Sequence, residues 1–165
     1  MIAYRTLENI TYRALFEAFQ KSFTQSQTAK ESTLESFQDM LLHQKYDPLL
    51  SIGAFDSESD TIVSFVLNSR IPGHVDAAYD ILTGTLPEYR RQGISKHIFQ
   101  QIKDLLRQHK IRFYKTEVKR ENAPAIKLYT SVGFTIKNEI ITIVHTNTGQ
   151  HTVEQYEIEM DLHLF

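Results

Sequence analysis

Apolar residues recur along the first part of this chain with the spacing of helices. A short strand around 2–5 is followed by apolar positions three or four residues apart over 12–23, which predict a first helix. The same period returns over 34–41 and predicts a second helix. The segment "TQSQTAKEST" (24–33) is polar throughout, so we expect a hydrophilic loop between the two helices.

The middle of the chain changes to the pattern of strands around one further helix. Runs of β-branched and aromatic residues over 49–55 and 61–69 flank the turn-like "DSESD" and predict an antiparallel hairpin. A strand over 77–86, a helix with one apolar side over 94–106 and a strand over 111–118 follow. Because the connections between these three elements are short, they predict a right-handed crossover with two parallel strands. The carboxyl ends of both strands, where we expect a functional site, therefore lie at one edge of the sheet.

The last part of the chain predicts one short helix and a final hairpin. In "ENAPAIKLYTSVGF" (121–134), Asn122 is a capping residue, Pro124 fits the first turn and Gly133 marks the stop. Two strands over 135–162 then surround an Asn-Thr-Gly turn. The chain is an α/β protein by this pattern.

Length and composition restrict what such a protein can be. The 165 residues suit one domain spanning 1–165 with a single core. A net charge of −2 with mixed signs provides no broad positive field, so nucleic acid is excluded as an expected partner. There is no cysteine, which excludes disulfides and a cysteine nucleophile and is compatible with a reducing compartment. No apolar run has the length of a signal peptide or membrane span, so we expect a cytoplasmic protein that does not bind membranes.

The segment "LPEYRRQGISKHIF" (86–99) has the features of an anion site. The start of a helix leaves backbone N–H groups unpaired and carries a partial positive charge. Gly93 leaves that start open, and Arg90, Arg91 and Lys96 add cationic donors. The second glycine and the Lys-Ser/Thr pair of a nucleotide P-loop are absent. The segment therefore predicts a phosphate cradle of another kind.

Two motifs here resemble those of the GNAT superfamily of N-acetyltransferases. The segment Arg90, Arg91, Gln92, Gly93, Ile94 and Ser95 resembles the acetyl-CoA signature Arg/Gln-x-x-Gly-x-Gly/Ala, with serine at its last position. A second motif, Asn-x-x-Ala-x-x-Leu-Tyr followed by Gly-Phe, is matched by Asn122, Ala125, Leu128, Tyr129, Gly133 and Phe134. The resemblance is close over 77–134, and the rest of the chain agrees in the order of its elements.

The resemblance implies a fold and a cosubstrate. The fold is a mixed, largely antiparallel central sheet of about six or seven strands with a splayed parallel pair, flanked by about four helices. Acetyl-CoA is the implied cosubstrate, with no metal. Its pyrophosphate is expected on the amides of 91–96, and its pantetheine arm against the three coenzyme-binding strand residues Thr83, Gly84 and Thr85. Gly84 also fits a bulge that splays the parallel strands.

Two further residues complete the implied coenzyme site. By resemblance, Asn122 hydrogen-bonds the coenzyme arm in addition to capping its helix. Ser95 stands where the family usually has glycine or alanine. Serine is still small, and its hydroxyl could donate to a phosphate.

Acetyl transfer to an amine needs a base for the amine and an acid for the departing thiolate. The resemblance assigns the acid to Tyr129. It favours Glu117 as the base, with Asp80 on the neighbouring strand and a bound water as alternatives. Because there is no cysteine to carry the acetyl group, we expect direct attack within a ternary complex.

The acceptor and the assembly stay open. The acceptor amine belongs to a small molecule or to a protein amino terminus. A noncatalytic acyl-CoA-binding sensor or interaction module is the alternative function. Apolar residues on both faces of the penultimate strand, Ile140, Ile141, Ile143 and Val144, also fit burial against a second copy in a homodimer.

Overall fold

The computed structural model describes residues 1–164. Over this range the strands are β1 (Ile2–Thr6), β2 (Ile52–Asp56), β3 (Ile62–Arg70), β4 (Ala77–Thr85), β5 (Phe113–Lys119), β6 (Thr135–Thr146) and β7 (Gly149–Asp161). The helices are α1 (Tyr12–Ser22), α2 (Gln27–Glu31), α3 (Leu34–His43), α4 (Ile94–Gln108) and α5 (Ala123–Val132). Single 3₁₀ turns cover Pro48–Leu50, Pro87–Tyr89 and Leu162–Leu164.

The seven strands form one sheet in the order β1-β2-β3-β4-β5-β7-β6. Neighbouring strands pair antiparallel except β4 and β5, which are parallel and are joined through α4. The predicted α/β class, the mixed sheet and its central parallel pair are confirmed.

The parallel pair separates after three residues. Ala77–Tyr79 pair with Phe113–Lys115, and the described strands make no ladder beyond them. At the point of separation the Thr116 hydroxyl donates to the Asp80 carbonyl oxygen over 2.8 Å. A wedge therefore opens between β4 and β5 on the side of their carboxyl ends.

The bulge in β4 lies at Ile81 and not at Gly84, so that prediction was wrong. Leu82 and Asp80 oppose the consecutive residues 67 and 68 of β3, which leaves Ile81 as the extra residue. Gly84 pairs in register with Phe65. Its missing side chain reflects close packing, because a Cβ atom there would lie 2.6 Å from Phe65 Cζ.

Two apolar layers cover the sheet. On one face α4 and α5 pack against the centre of the sheet through residues such as Ile98, Phe99 and Tyr129. On the other face α1 and α3 cover the half formed by β2 to β4, with Phe19 and Phe37 stacked at 5.1 Å between ring centroids. The site lies where the first layer meets the wedge.

The polar segment 24–33 is not only a loop, because it contains the short helix α2. The Ser26 hydroxyl accepts from the Ala29 amide and so caps this helix, and the Ala29 side chain is buried. A second cap at Thr33 starts α3. Cap residues and one small buried side chain do not create an apolar period, so the hydrophobic pattern did not predict α2.

In the part of the chain from 1 to 164, none of the helices combines the length and the apolar character needed to cross a bilayer.

Candidate active site

The N-terminus of α4 presents a row of unpaired backbone amides. The first helical hydrogen bond runs from the His97 N–H to the Gly93 carbonyl oxygen. Within the described residues, the amides of 91–96 donate to no protein acceptor. Arg91 and Gly93 have φ of 60° and 76°, in the left-handed region. Nothing lies within 4 Å of the position that a Cβ of Gly93 would take, so an anion can approach these amides directly.

Arg90 holds this loop in place. Its Nη2 atom donates to the Ser22 carbonyl oxygen over 2.6 Å, and its Nε atom donates to the Thr85 carbonyl oxygen over 3.2 Å. The guanidinium therefore joins the end of α1 and the end of β4 to the loop. By contrast, Arg91 and Lys96 are exposed and make no ion pair within 1–164, so their charges are free to meet a phosphate.

A cavity of about 760 Å³ leads from this loop to Tyr129. The residues predicted to bind coenzyme that line it are Thr83, Gly84, Thr85, Arg90, Arg91, Gly93, Ile94, Ser95 and Lys96. Gln92 and Asn122 do not line it, and neither does Glu117. The structure thus brings together residues that are up to 46 positions apart, since both Thr83 and Tyr129 contact the same space.

The Ser95 hydroxyl is already engaged. It lies 2.7 Å from the Thr85 hydroxyl, which lies 2.7 Å from the Ser64 hydroxyl. Ser64 in turn donates to the Gly84 carbonyl oxygen over 3.0 Å. The serine in place of glycine or alanine therefore ties α4 to the strands, and its hydroxyl is directed to Thr85.

Gln92 and Asn122 both hydrogen-bond backbone groups nearby. The Gln92 side-chain amide donates to the Glu88 carbonyl oxygen over 3.1 Å. Asn122 Oδ1 accepts from the Ala125 N–H over 3.3 Å and caps α5, as its position in the sequence predicts. Among residues 1–164 the Asn122 side-chain N–H₂ group has no acceptor, so it is free to donate to a ligand.

At the inner end of the cavity, Tyr129 donates to a buried carboxylate. Its hydroxyl lies 3.0 Å from Asp80 Oδ2, and the Thr83 hydroxyl donates to the same oxygen over 2.7 Å. Tyr129 is 8% exposed and Asp80 is 2% exposed. Asp80 Oδ1 is buried and has no hydrogen-bond partner in the described part of the chain.

Burial changes the acidity of both groups. It raises the pKa of Asp80 to about 6, although hydrogen bonds from Thr83 and Tyr129 and the nearby Leu82 N–H act to lower it. Burial, and next the charge of Asp80, raise the pKa of Tyr129 well above its usual range. The phenol is therefore fully protonated at neutral pH, whereas the carboxyl loses its proton at a pH of about 6.

Glu117 lies on the opposite face of the sheet. It alternates with the buried residues Thr116 and Val118 along β5, and its side chain is exposed. Its cross-strand neighbour on β7 is Glu157. Burial, followed by the charges of Glu117 and Asp80, raises the pKa of Tyr79 to about 12. Tyr79 is therefore close enough to both carboxylates to be affected by their charges.

Other cavity residues were not predicted to belong to the site, although Ala125 and Leu128 lie in the second family motif. Ser22 and Phe23, at the end of α1, and Pro124, Ala125, Lys127 and Leu128, at the start of α5, form much of the wall. The apolar period of α1 identified Phe23 only as a core residue. Phe23 belongs to the site because of how α1 packs on β4, and the apolar pattern of α1 does not predict that packing.

Comparisons with known proteins support the fold and identify the family. A family model described as "Acetyltransferase (GNAT) family" matches residues 12–134. The ribosomal-protein-S18-alanine N-acetyltransferase of Escherichia coli has the same fold, with a TM-score of 0.74 and 19% identity over 98% of this chain and 94% of that one. The PaiA N-acetyltransferase of Thermoplasma acidophilum, solved with coenzyme A, gives a TM-score of 0.67 and 17% identity over 98% and 99% of the two chains. Ard1 of Thermoplasma volcanium gives 0.72 and 16% over 97% of each. A comparison with curated protein sequences finds no match.

Because the family model covers most of its length, the chain belongs to the GNAT acetyltransferase family. The fold is the one expected of this family, and membership of the family supports an acetyltransferase that uses acetyl-CoA as its cosubstrate. The free amides of 91–96 and the cations beside them fit the phosphates of that cosubstrate.

Proposed function

We propose that the protein transfers the acetyl group of acetyl-CoA to a primary amine by direct attack within a ternary complex. The observation that carries the proposal is the position of Tyr129. Its hydroxyl lies at the inner end of a cavity whose outer end has the unpaired amides of α4. A coenzyme with its phosphates on those amides would extend along β4 toward that hydroxyl.

The chain's residues divide the proton transfers between two sides of the wedge. An amine with a pKa near 10 is mostly protonated at neutral pH, so one proton must leave before attack. We assign the removal of that proton from the amine to Glu117. This side chain is exposed on the face away from α5 and can release the proton to water. As the C–S bond breaks, the Tyr129 hydroxyl gives its proton to the thiolate sulfur.

The coenzyme contacts also belong to the proposal. The backbone amides of Arg91, Gly93, Ser95 and their neighbours bind the pyrophosphate, and Thr83, Gly84 and Thr85 flank the pantetheine arm. Arg90 supports the loop from behind, because its guanidinium is held by two carbonyl oxygens. Asn122 offers its side-chain N–H₂ group to the arm.

The first experiment is calorimetric titration with acetyl-CoA, followed by a screen of small amines and amino-terminal peptides in the cytoplasmic pH range. Micromolar binding and transfer to a member of either group support the proposal and choose between small-molecule and peptide acceptors. Binding without transfer to any amine supports the alternative, a noncatalytic acyl-CoA module. Cell fractionation tests the cytoplasmic location, which is part of the proposal.

Tyr129→Phe tests the acid. Loss of an acid catalyst lowers kcat by about tenfold to ten-thousandfold, while the dissociation constant of acetyl-CoA stays within about threefold of wild type. Tyr4→Phe is the matched control, because the Tyr4 ring contacts His97 and does not line the cavity. Equal turnover in Tyr129→Phe and wild type would remove Tyr129 from this role.

Glu117→Gln tests the base. We expect kcat/KM for the amine to fall and to recover partly at high pH, where more of the amine is neutral in solution. Glu58→Gln, in the exposed turn between β2 and β3, is the control. The same pH profile for Glu117→Gln as for wild type would exclude Glu117 as the base.

A homodimer through the β6 edge is the last part of the proposal. Ile141 and Ile143 are 62% and 58% exposed on this edge strand, whereas Ile140 and Val144 are partly buried. Sedimentation velocity of wild type and Ile141→Lys tests it, since a charge on a shared face would separate the two copies.

A further inference from the structure

Asp80 is a buried carboxyl group without a cationic partner. Both hydrogen bonds that it accepts from side chains, from Thr83 and Tyr129, are to Oδ2. Oδ1 has no hydrogen-bond partner, and no lysine, arginine or histidine within 1–164 hydrogen-bonds the group. An ionised carboxylate is poorly stabilised in such surroundings, so taking up a proton costs Asp80 little.

The groups that face Asp80 do not supply positive charge either. They are Tyr79 on its own strand, Tyr114 on β5 and Tyr129 on α5, and each has a raised pKa to which the charge of Asp80 contributes. From β3, its register partner is the neutral Asn68. Stabilisation of the ionised Asp80 therefore depends on the hydroxyls of Thr83 and Tyr129 and on the nearby Leu82 N–H.

In its present position Tyr129 is a weak acid for the reaction assigned to it. Its proton points at Asp80, and beside an ionised Asp80 its pKa lies well above 10. A thiol has a pKa of about 8.5, so proton transfer from this phenol to a thiolate is uphill. A neutral Asp80 changes both the direction of the Tyr129 proton and the pKa of the phenol. It donates a hydrogen bond to the Tyr129 oxygen, so the phenol proton is free to be transferred to the sulfur.

We propose that Asp80, in its protonated form, is the proton source behind Tyr129, so that one proton moves from Asp80 to Tyr129 as another moves from Tyr129 to the coenzyme sulfur. This inference rests on the proposed function. As the C–S bond breaks, the Tyr129 O–H bond breaks and an S–H bond forms. At the same time the Asp80 Oδ2–H bond breaks and a new O–H bond forms on Tyr129.

The protons balance over one turnover. The step leaves a thiol, a neutral Tyr129 and an Asp80 carboxylate. After the thiol has left, water at the cavity gives a proton to the Tyr129 oxygen, and Tyr129 returns one to Asp80. The ammonium loses two protons to solvent and the enzyme takes one back, so one proton is released for each acetyl group transferred.

The relay predicts a specific pH profile of kcat at saturating substrates. Because the protonated form of Asp80 is the active one, kcat falls as the pH rises through the pKa of Asp80 in the ternary complex. Asp80→Asn keeps an oxygen that accepts from Tyr129 but has no acidic proton to transfer. It should lower kcat by about tenfold or more and abolish this descending limb.

Thr83→Val separates the relay from a merely structural role. The hydrogen bond from Thr83 lowers the pKa of Asp80, so its removal raises that pKa and should move the descending limb to higher pH. A packing role for Asp80 predicts no such movement. Because the two residues act in series, Asp80→Asn combined with Tyr129→Phe should be no slower than the slower single variant.

The outcomes distinguish the two proposals. If wild type acetylates no amine, the proposed function fails and the relay fails with it. If wild type is active and Asp80→Asn keeps the descending limb, or Thr83→Val leaves it in place, only the relay is overturned. Far-ultraviolet circular dichroism and a cooperative thermal transition like those of wild type show that both variants, Asp80→Asn and Thr83→Val, are folded.

Discussion

Replacing Asp80 by asparagine should change how the stability of the protein depends on pH. The carboxyl group is fully buried, and its pKa is raised from 3.8 to about 6 in the folded protein. A raised pKa means that the folded protein binds this proton more tightly than the unfolded chain does. The stability contributed by the protonated group is complete below the unfolded pKa and is lost as the pH rises through the folded pKa.

The size of the effect follows from the two pKa values. A difference of about 2 units corresponds to about 3 kcal/mol of lost stability at neutral pH. Most of this loss, about 2 kcal/mol, occurs between about pH 4.5 and about pH 7.5. Asp80→Asn cannot ionise, so the stability difference between variant and wild type should grow by about 2 kcal/mol in favour of the variant across this interval.

Urea denaturation followed by circular dichroism at several pH values measures this difference. A fixed cost of burying the asparagine amide shifts the variant equally at every pH, so it does not affect the comparison. Asp39→Asn, an exposed aspartate of α3, is the control for a carboxylate that faces water in both states. Parallel stability curves for wild type and Asp80→Asn would refute the raised pKa and weaken the case for the relay.

Three further predictions concern the coenzyme site. Gly93→Ala forces alanine to adopt a left-handed backbone conformation. We expect a loss of about 1 kcal/mol of stability and at least tenfold weaker acetyl-CoA binding by calorimetry. Gly73→Ala has the same strain in an open turn away from the cavity, so it should lose stability but keep full affinity. Gly84→Ala places a Cβ atom 2.6 Å from Phe65 Cζ, and thermal unfolding should show a loss of about 1–3 kcal/mol. Ser95→Ala should bind acetyl-CoA within about threefold of wild type, since the Ser95 hydroxyl points into the protein; a large loss would show that it contacts the coenzyme.

Much of the fold was accessible from the sequence because it depends on local chemistry. The apolar period of α4, the β-branched strands β3 and β4 and the caps of α5 are each encoded within a few consecutive residues. The short helix α2 was not predicted because its main sequence feature is a serine cap within a polar segment. The bulge was assigned to Gly84 because glycine is common at bulges, whereas the register of β3 against β4 places it at Ile81.

The sequence by itself determined the loop chemistry of the site, since Arg90, Gly93 and the start of α4 are contiguous and an open helix start needs no distant partner. Only the tertiary structure decided what Tyr129 touches. Its contact with Asp80 joins residues 49 positions apart and exists because α5 packs on the face of β4 at the point where β4 leaves β5. The raised pKa of Asp80 is likewise a property of burial, which no pattern of neighbouring residues contains.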